Sequence, residues 1–311
     1  MRTLSRLVGK RGARRAVLAV LAGGVVALAG CSKSEPDDSK PTASAGEPAG
    51  QSTLQAAKQA GTVRIGYANE APFAYMDSAS GKLTGEAVEI AREVLKRMGI
   101  DKVEGVLTEF GSLIPGLQAK RFDVIAAGMY VTPERCKQVI FSNPTYGVDA
   151  AFLVKKGNPR QLHSYQDVAS KDAKLGVVVG AIEAEYASKT GVQAGQMVVF
   201  PDAASALAGV QAGRADAYAA TALTINDLMK KSAAADLERA QPFTNPTVDG
   251  KSVRGYGAFA FRPEDQDFAD AFNAELANFL GSPEHRKLVE PFGFTEAELP
   301  RDMTAAQLCG E

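Results

Sequence analysis

The chain has few of the residues that carry out chemistry in enzymes and metal sites. Its 311 residues include two histidines, three cysteines and no tryptophan. It contains no HExxH, CxxC or Gly-rich phosphate loop, and no serine lies in a nucleophile elbow. His163 and His285 are far apart in the sequence, so we predict that both are surface residues. We also predict no metal, no cofactor and no enzymatic activity.

The chain also has no excess of basic over acidic residues. The chain has 35 Lys and Arg against 36 Asp and Glu. Six of the bases and none of the acids lie in the first 30 residues, which leaves 29 bases against 36 acids, a net charge of −7, in the remainder. This mild acidity gives no support to nucleic-acid binding.

The first 30 residues have the pattern of an export signal. A basic stretch from Arg2 to Arg15 is followed by an apolar stretch over residues 16–28, which is too short for a stable membrane span. The next residues, Leu28-Ala29-Gly30-Cys31, resemble the lipobox of bacterial lipoproteins. We therefore predict a lipoprotein signal peptide over 1–30 and lipidation of Cys31, which would anchor the protein to the outer face of the cell membrane. An ordinary signal peptide with an unmodified cysteine is the alternative.

The segment after Cys31 has the composition of a linker. Residues 32–56 are rich in Ser, Pro, Asp, Lys, Ala and Gly. Such a segment cannot bury enough apolar surface to become ordered. We predict a flexible tether over residues 31–60, so that the folded part works close to a membrane without spanning it.

One pattern occurs twice in the folded part. Residues 112–127 (SLIPGLQAKRFDVIAA) and 205–220 (SALAGVQAGRADAYAA) are identical at 8 of 16 positions. Each copy predicts a short helix, a tight turn and a buried strand. Ligands of open α/β sheets lie beyond the carboxyl ends of the strands. We therefore predict that residues 128–130 and 221–223 face each other across a cleft.

The order of predicted elements indicates the fold. Strands and helices alternate from Val63 to Ala127, and the alternation begins again after Val148. We predict an α/β fold of two lobes, each a doubly wound sheet, joined by a two-strand hinge. Lobe 1 comprises residues 61–148 plus 257–311, and lobe 2 comprises residues 149–256.

Two cysteines remain beyond the predicted lipidation site. Cys136 and Cys309 form an even pair in a protein predicted to lie outside the cytoplasm, which favours a disulfide. Two free thiols are the alternative. A bond would explain how a C-terminal tail with little apolar content is held.

Several segments together resemble a known family. They are GTVRIGY, NEAPF, TGEAVEIA, EFGSLIPGL, RFDVIAAGMYVTPER and FSNPTY, all within residues 61–159. They resemble solute-binding proteins of polar amino-acid ABC importers, and most closely the ectoine/hydroxyectoine-binding lipoproteins. The resemblance implies a type II periplasmic-binding-protein fold that captures a small zwitterionic solute by lobe closure. It also implies delivery to a membrane permease powered by a cytoplasmic ATPase, by a protein that we expect to be monomeric.

The resemblance also implies how a ligand carboxylate is held. Arg135 lies five residues after Tyr130 and would grip the carboxylate through its planar guanidinium. The backbone N–H of Tyr130 would bond the same carboxylate, and Gly128 would offer its carbonyl. A surface role for Arg135, paired with Glu134, is the alternative interpretation.

A cation site is implied beside the carboxylate site. Phe73, Phe110 and Tyr130 lie in loops or at strand ends, where three rings can enclose a flat delocalised cation. Glu70 would accept hydrogen bonds from amidinium N–H groups. The alternative is that Phe73 and Phe110 pack under loops as ordinary core residues.

The second lobe departs from the amino-acid binders of this family. They usually carry an Asp at the end of the second repeat strand to hold an α-ammonium, and here Thr221 takes that position. The ligand is therefore expected to lack a free α-amino group, as ectoine does. Gly180 to Ile182 precede a helix whose N–H groups form a natural carboxylate site. The Thr or Ser that family members often carry near Ile182 is absent.

Three other interpretations stay open at this stage. The ligand could be another compatible solute or a polar amino acid. The protein could be an extracytoplasmic dehydratase on the same fold, with Glu70 as its acid or base, which a raised pKa would support. It could also be a sensor or chaperone-like lipoprotein with an exposed apolar patch.

Overall fold

The computed structural model describes residues 50–231, 235–248 and 251–310. Its strands are β1 (Thr62–Tyr67), β2 (Tyr75–Asp77), β3 (Lys82–Thr84), β4 (Lys102–Leu107), β5 (Val124–Tyr130), β6 (Ile140–Phe141), β7 (Tyr146–Val148), β8 (Ala150–Lys155), β9 (Leu175–Val178), β10 (Met197–Phe200), β11 (Ala217–Thr221), β12 (Leu237–Arg239), β13 (Thr247–Val248), β14 (Lys251–Ser252) and β15 (Gly255–Phe261). Its α-helices are α1 (Thr53–Ala60), α2 (Glu86–Arg97), α3 (Leu113–Gln118), α4 (Pro133–Cys136), α5 (Tyr165–Ser170), α6 (Glu183–Lys189), α7 (Ala203–Gln211), α8 (Ala222–Lys231), α9 (Gln266–Phe279), α10 (Pro283–Val289) and α11 (Ala305–Cys309). Short 3-10 helices span Phe110–Ser112, Ala194–Gln196, Glu290–Phe292 and Glu296–Glu298.

The predicted signal peptide, Cys31 and most of the predicted tether lie outside the described residues. Within the described ranges, no helix has the length and apolar content needed to cross a membrane.

The end of the predicted tether is wrong. Residues 53–60 form α1, whose N-terminus is capped by the side chain of Ser52. Ala57 is buried, and Arg262 donates a hydrogen bond from Nη2 to Thr53 Oγ1. The helix belongs to the folded part because these contacts fix it against the core, which a composition count cannot foresee.

Two mixed sheets form the framework. The first has the strand order β4-β1-β5-β15-β6, with β7 paired to β15, and the second has the order β10-β9-β11-β8-β12. β1 is parallel to β4 and β5, and β9 is parallel to β10 and β11. β15 and β8 run antiparallel beside the repeat strands β5 and β11. The predicted α/β architecture is confirmed, with antiparallel strands added to each parallel set.

Two adjacent passages connect the sheets. β7 in the first sheet is followed, after Asp149, by β8 in the second. The chain returns at β15, whose residues Gly255 to Gly257 pair antiparallel with β7. We keep the names lobe 1 and lobe 2 for the parts around the first and second sheets. The exact lobe boundaries stay a prediction.

The two repeat copies fold in the same way. α3 ends at Gln118 and α7 at Gln211, and these two residues are aligned in the repeat. The turn that follows has a positive φ at aligned positions, 56° at Lys120 and 73° at Gly213. β5 and β11 then begin at aligned residues. The copies therefore place Gly128 and Thr221 at equivalent positions of the two sheets.

The prediction for His285 is wrong. This residue lies in α10 and is only 2% exposed, with its ring edge-to-face against Phe279 at 5.3 Å. Its Nδ1 accepts a hydrogen bond from the backbone N–H of Gly281. Burial lowers the pKa of His285 to about 4, so the ring is neutral at ordinary pH. His163 is partly buried, with Nδ1 2.8 Å from the Pro242 carbonyl oxygen.

Candidate functional site

One pocket brings together residues of both lobes. Eight of the nine predicted ligand residues line it. The full lining is Glu70, Phe73, Phe110, Gly128, Tyr130, Arg135, Val178, Ala181, Ile182, Glu183, Tyr218, Ala219, Ala220 and Thr221. The ninth predicted residue, Gly180, does not line the pocket, but its carbonyl accepts a hydrogen bond from Arg135.

A tight turn after β1 presents Glu70 and Phe73 to the pocket. The carbonyl of Glu70 accepts hydrogen bonds from the N–H groups of Phe73 and Ala74, both at 3.0 Å. The first two N–H groups of α2 donate to the carbonyls of Pro72 and Phe73, both at 2.9 Å. Gly85 has a φ of 124°, and a Cβ there would lie 2.3 Å from the Phe73 carbonyl oxygen. The glycine before α2 therefore lets the helix hold the turn in place.

A second layer of rings supports Phe73 from behind. Phe73 stacks on Tyr146 with centroids 5.0 Å apart, and Phe294 meets both rings edge-on. The hydroxyl of Tyr146 donates to the carbonyl of Gly128 at 2.8 Å. The carbonyl predicted to face the ligand is thus already bonded within the protein. Tyr146 and Phe294 were not predicted as site residues, because they pack behind the Phe73 ring and do not line the pocket.

Arg135 reaches across the pocket from the one-turn helix α4. Its Nη1 donates to the carbonyl of Tyr130 at 2.8 Å, and its Nη2 donates to the carbonyl of Gly180 in lobe 2 at 3.0 Å. The guanidinium carbon lies 5.6 Å from the centre of the Phe110 ring. Burial of the guanidinium lowers the pKa of Arg135, although the residue as a whole is only partly buried.

The alternative role for Arg135 as a surface ion-pair partner is not supported by these contacts. Glu134 pairs instead with Lys137, with Oε1 and Nζ 2.7 Å apart. Both of those side chains are largely exposed, whereas Arg135 points into the pocket.

Glu70 also bridges the lobes. Its Oε1 accepts a hydrogen bond from the buried hydroxyl of Thr224 at 2.8 Å. Thr221 Oγ1 lies 3.0 Å from that hydroxyl and accepts the backbone N–H of Thr224 at 2.9 Å. Burial raises the pKa of Glu70, while the bond from Thr224 partly opposes the shift. Thr221, which takes the position where amino-acid binders of this family usually carry an aspartate, is thus connected through Thr224 to the Glu70 carboxylate of lobe 1.

Glu183 is a pocket residue that the sequence analysis missed. It is the first residue of α6 and is buried. Burial raises its pKa to about 7, and the charge of Glu70 acts in the same direction, whereas its own backbone N–H and Arg135 oppose the shift. The signal was present, because Glu183 directly follows the predicted residue Ile182. A resident carboxylate at this helix start competes with the ligand carboxylate that we predicted there.

Tyr218 is the second missed residue of the lining. It lies in β11, inside the second repeat copy, and is 1% exposed. Interior strand residues are ordinarily core residues, so the sequence pattern alone gives no reason to place its ring beside a ligand.

The arrangement can hold a small zwitterion. One arginine, two carboxylates and several aromatic rings converge on this pocket. A guanidinium binds a carboxylate, while aromatic faces and carboxylates bind a cation. In the part of the chain that the structure describes, no cluster of three His, Cys, Asp or Glu residues could hold a metal ion.

Comparison with known proteins identifies the family. The sequence model of the bacterial extracellular solute-binding proteins, family 3, matches residues 63–295. The chain belongs to this family. A relative in Sinorhizobium fredii (strain NBRC 101917 / NGR234), a probable amino-acid ABC transporter periplasmic-binding protein y4tE, is 42% identical over 266 residues, 84% of this chain and 87% of the relative. The lysine/arginine/ornithine-binding periplasmic protein of Escherichia coli (strain K12) is 29% identical over 237 residues, 74% of this chain and 87% of that protein.

Solved structures of other binding proteins have the same fold. The crystal structure of EhuB in complex with hydroxyectoine has a TM-score of 0.75 and 40% identity, covering 83% of this chain and 97% of EhuB. The ancestral amino acid-binding protein AncCDT-1, a precursor of cyclohexadienyl dehydratase, has a TM-score of 0.67 and 28% identity, covering 78% and 99%. The predicted type II periplasmic-binding-protein fold is confirmed, and the protein is an extracellular solute-binding protein.

Proposed function

We propose that this family 3 protein captures ectoine or hydroxyectoine outside the cytoplasm and delivers it to the permease of an ABC importer. The observation that carries the proposal is the convergence of Phe73, Phe110 and Tyr130 with Arg135 and the two buried carboxylates in one pocket. Both lobes contribute to this pocket, as capture by lobe closure requires.

The chemistry of the pocket matches that of the ligand. Ectoine is a cyclic amidinium carboxylate whose positive charge is spread over the N–C–N unit of its ring. Its carboxylate suits the fork of Arg135, and its flat amidinium suits the aromatic faces. Once their carboxyl groups are ionised, Glu70 and Glu183 accept hydrogen bonds from the amidinium N–H groups.

Thr221 supports a ligand without an α-ammonium. Its hydroxyl accepts the N–H of Thr224 and lies within hydrogen-bonding distance of the Thr224 hydroxyl, so it adds no negative charge where amino-acid binders carry an aspartate. A compact ammonium would therefore have no ionic partner on that strand. The hydroxyectoine bound by EhuB, at 40% identity, supports the same ligand class.

A calorimetric titration panel tests the proposed ligand. The protein without residues 1–31 is titrated with ectoine, hydroxyectoine, glycine betaine, proline, glutamine and arginine. We expect saturable binding of the two ectoines and no heat from the amino acids. Saturation by glutamine or arginine instead would replace the ligand with a polar amino acid, as the names of y4tE and the lysine/arginine/ornithine-binding protein suggest.

A dehydratase on the same fold is the second candidate function. Burial raises the pKa of both Glu70 and Glu183, as a general acid requires, and AncCDT-1 is a precursor of a dehydratase. Proton NMR of each panel compound after prolonged incubation with the protein separates the two functions. Binding alone leaves every compound unchanged, whereas catalytic turnover would yield new resonances that disappear in a Glu70→Gln variant.

We also propose that the lipid anchor at Cys31 keeps the binding domain near the permease. An anchor raises the effective concentration of the loaded protein at the membrane. Metabolic labelling of the full chain in a bacterial host with a radioactive fatty acid should label the wild-type protein and leave a Cys31→Ala variant unlabelled. Equal labelling of the two would remove the anchor from the account.

A further inference from the structure

We propose that the disulfide between Cys136 and Cys309 positions Arg135 for the ligand, with the C-terminal helix α11 acting as a brace for α4. The inference rests on the proposed function in one respect, which is that Arg135 binds the ligand carboxylate. It assigns a role in ligand affinity to residues that lie outside the pocket.

Few contacts within α4 itself stabilise this helix. It is four residues long and contains no buried residue. Its N-terminus is capped by Thr132, whose hydroxyl accepts the N–H of Arg135 at 3.3 Å. A single helical turn is not stable by itself, because nucleation costs more than so few hydrogen bonds return. The residue that carries the pocket's guanidinium therefore lies on a segment that needs external support.

The disulfide supplies a covalent connection at the next residue. Cys136 follows Arg135 directly and is bonded to Cys309 at the end of α11, with the two Cα atoms 5.8 Å apart. The partly buried side chains of Ala305, Leu308 and Cys309 pack α11 against the core.

A polar contact connects α11 to the rest of lobe 1. The N–H of Ala305 donates to Asn143 Oδ1 at 3.1 Å, and the N–H of Asn143 donates to Asn273 Oδ1 in α9 at 2.7 Å. The connection thus runs from α9 through Asn143 and α11 to Cys136.

The reach of Arg135 makes its position sensitive to this support. Its guanidinium spans from the carbonyl of Tyr130 to that of Gly180 in the other lobe. A bidentate pair with a carboxylate depends on both distance and plane, so a displacement of about 1 Å in α4 is enough to weaken it. Without the disulfide, α4 would sample such displacements while the core of lobe 1 stays folded.

The test compares the wild type with the Cys136→Ser/Cys309→Ser double variant in two measurements. Hydrogen exchange by mass spectrometry, without ligand, follows the peptide that contains residues 131–137. We expect this peptide to exchange faster in the double variant, while peptides from β5 and α2 do not change. Calorimetry then gives the Kd for ectoine in the wild type, the double variant, Arg135→Ala and the triple variant. We expect about tenfold weaker binding in the double variant and no further loss when Arg135 is already alanine.

A matched variant separates positioning from general stability. Phe122→Leu reduces packing in the buried core of lobe 1, where the ring lies against Gly66 in β1 and Gly116 in α3, and should lower Tm without changing Kd. An unchanged exchange rate around Arg135, or an equal loss of affinity in the Arg135→Ala background, would overturn the inference. If the wild type binds no ectoine, the proposed ligand fails, and the exchange measurement still decides the inference because it needs no ligand.

Discussion

Replacing Arg135 by alanine should weaken the binding of ectoine by at least about 100-fold. The substitution leaves the ligand carboxylate in a site withdrawn from water with no cation to pair with, which costs roughly 3–5 kcal/mol. Arg135→Lys should lose less, since it keeps the charge but cannot form the two parallel hydrogen bonds. Titration calorimetry on the folded variants measures the effect, with circular dichroism to verify folding.

Lys137→Ala is the matched control for this experiment. It removes a positive charge two residues away, but Lys137 is exposed and pairs with Glu134 outside the pocket. Its Kd should stay within about twofold of the wild type, because an exposed charge that is already paired outside the pocket contributes little. Equal losses of affinity in Arg135→Ala and Lys137→Ala would mean that the overall electrostatic potential of the protein, rather than a specific ion pair with Arg135, attracts the ligand carboxylate.

The affinity for ectoine should fall as the pH is lowered through neutrality. Burial raises the pKa of Glu183 to about 7, so the empty site holds a proton there below that pH. A bound amidinium stabilises the carboxylate, and binding must therefore release the proton. The affinity is full above the pKa of the empty site and falls about tenfold per pH unit below it, or roughly tenfold between pH 8 and pH 6. Calorimetry in buffers of different ionisation enthalpy measures both the affinity and the proton released.

Two isosteric variants separate the source of this dependence. Glu183→Gln cannot titrate, so its affinity should be low at pH 8 and depend much less on pH. The remaining slope belongs to Glu70, whose pKa burial also raises. Glu86→Gln is the control, because burial raises the pKa of Glu86 to about 8 but its carboxyl bonds Thr145 behind the wall. A pH profile that is unchanged in Glu183→Gln would exclude Glu183 from the proton release.

Much of the architecture could be predicted because it depends on patterns within short stretches of the sequence. The repeat gives the ends of two helices, the two positive-φ turns at Lys120 and Gly213 and the starts of two buried strands. The boundaries of the strand–helix alternation were correct to within a few residues. The antiparallel direction of β15 and β8 was not predicted, because pairing between distant segments leaves no local pattern.

The site was predicted more completely in lobe 1 than in lobe 2, where Ile182 and Thr221 were the predicted residues that line the pocket. The lobe 1 residues fall within the family motifs, and the structure places Glu70, Phe73 and Arg135 in one pocket. Glu183 and Tyr218 reach the pocket from lobe 2, where the resemblance is weaker. Thr224 was missed because its role depends on a hydrogen bond to Glu70 across 154 residues of sequence, which exists only when the lobes meet. Contacts between lobes are set by tertiary packing and not by spacing along the chain.

The measurement that tests the account most directly is a crystal structure of the protein grown with ectoine. We expect the ligand ring to lie among Phe73, Phe110 and Tyr130, with its carboxylate on the guanidinium of Arg135 and its amidinium facing the carboxylates of Glu70 and Glu183. A ligand turned the other way, with its carboxylate at the start of α6 and its cation away from the three rings, would contradict the account.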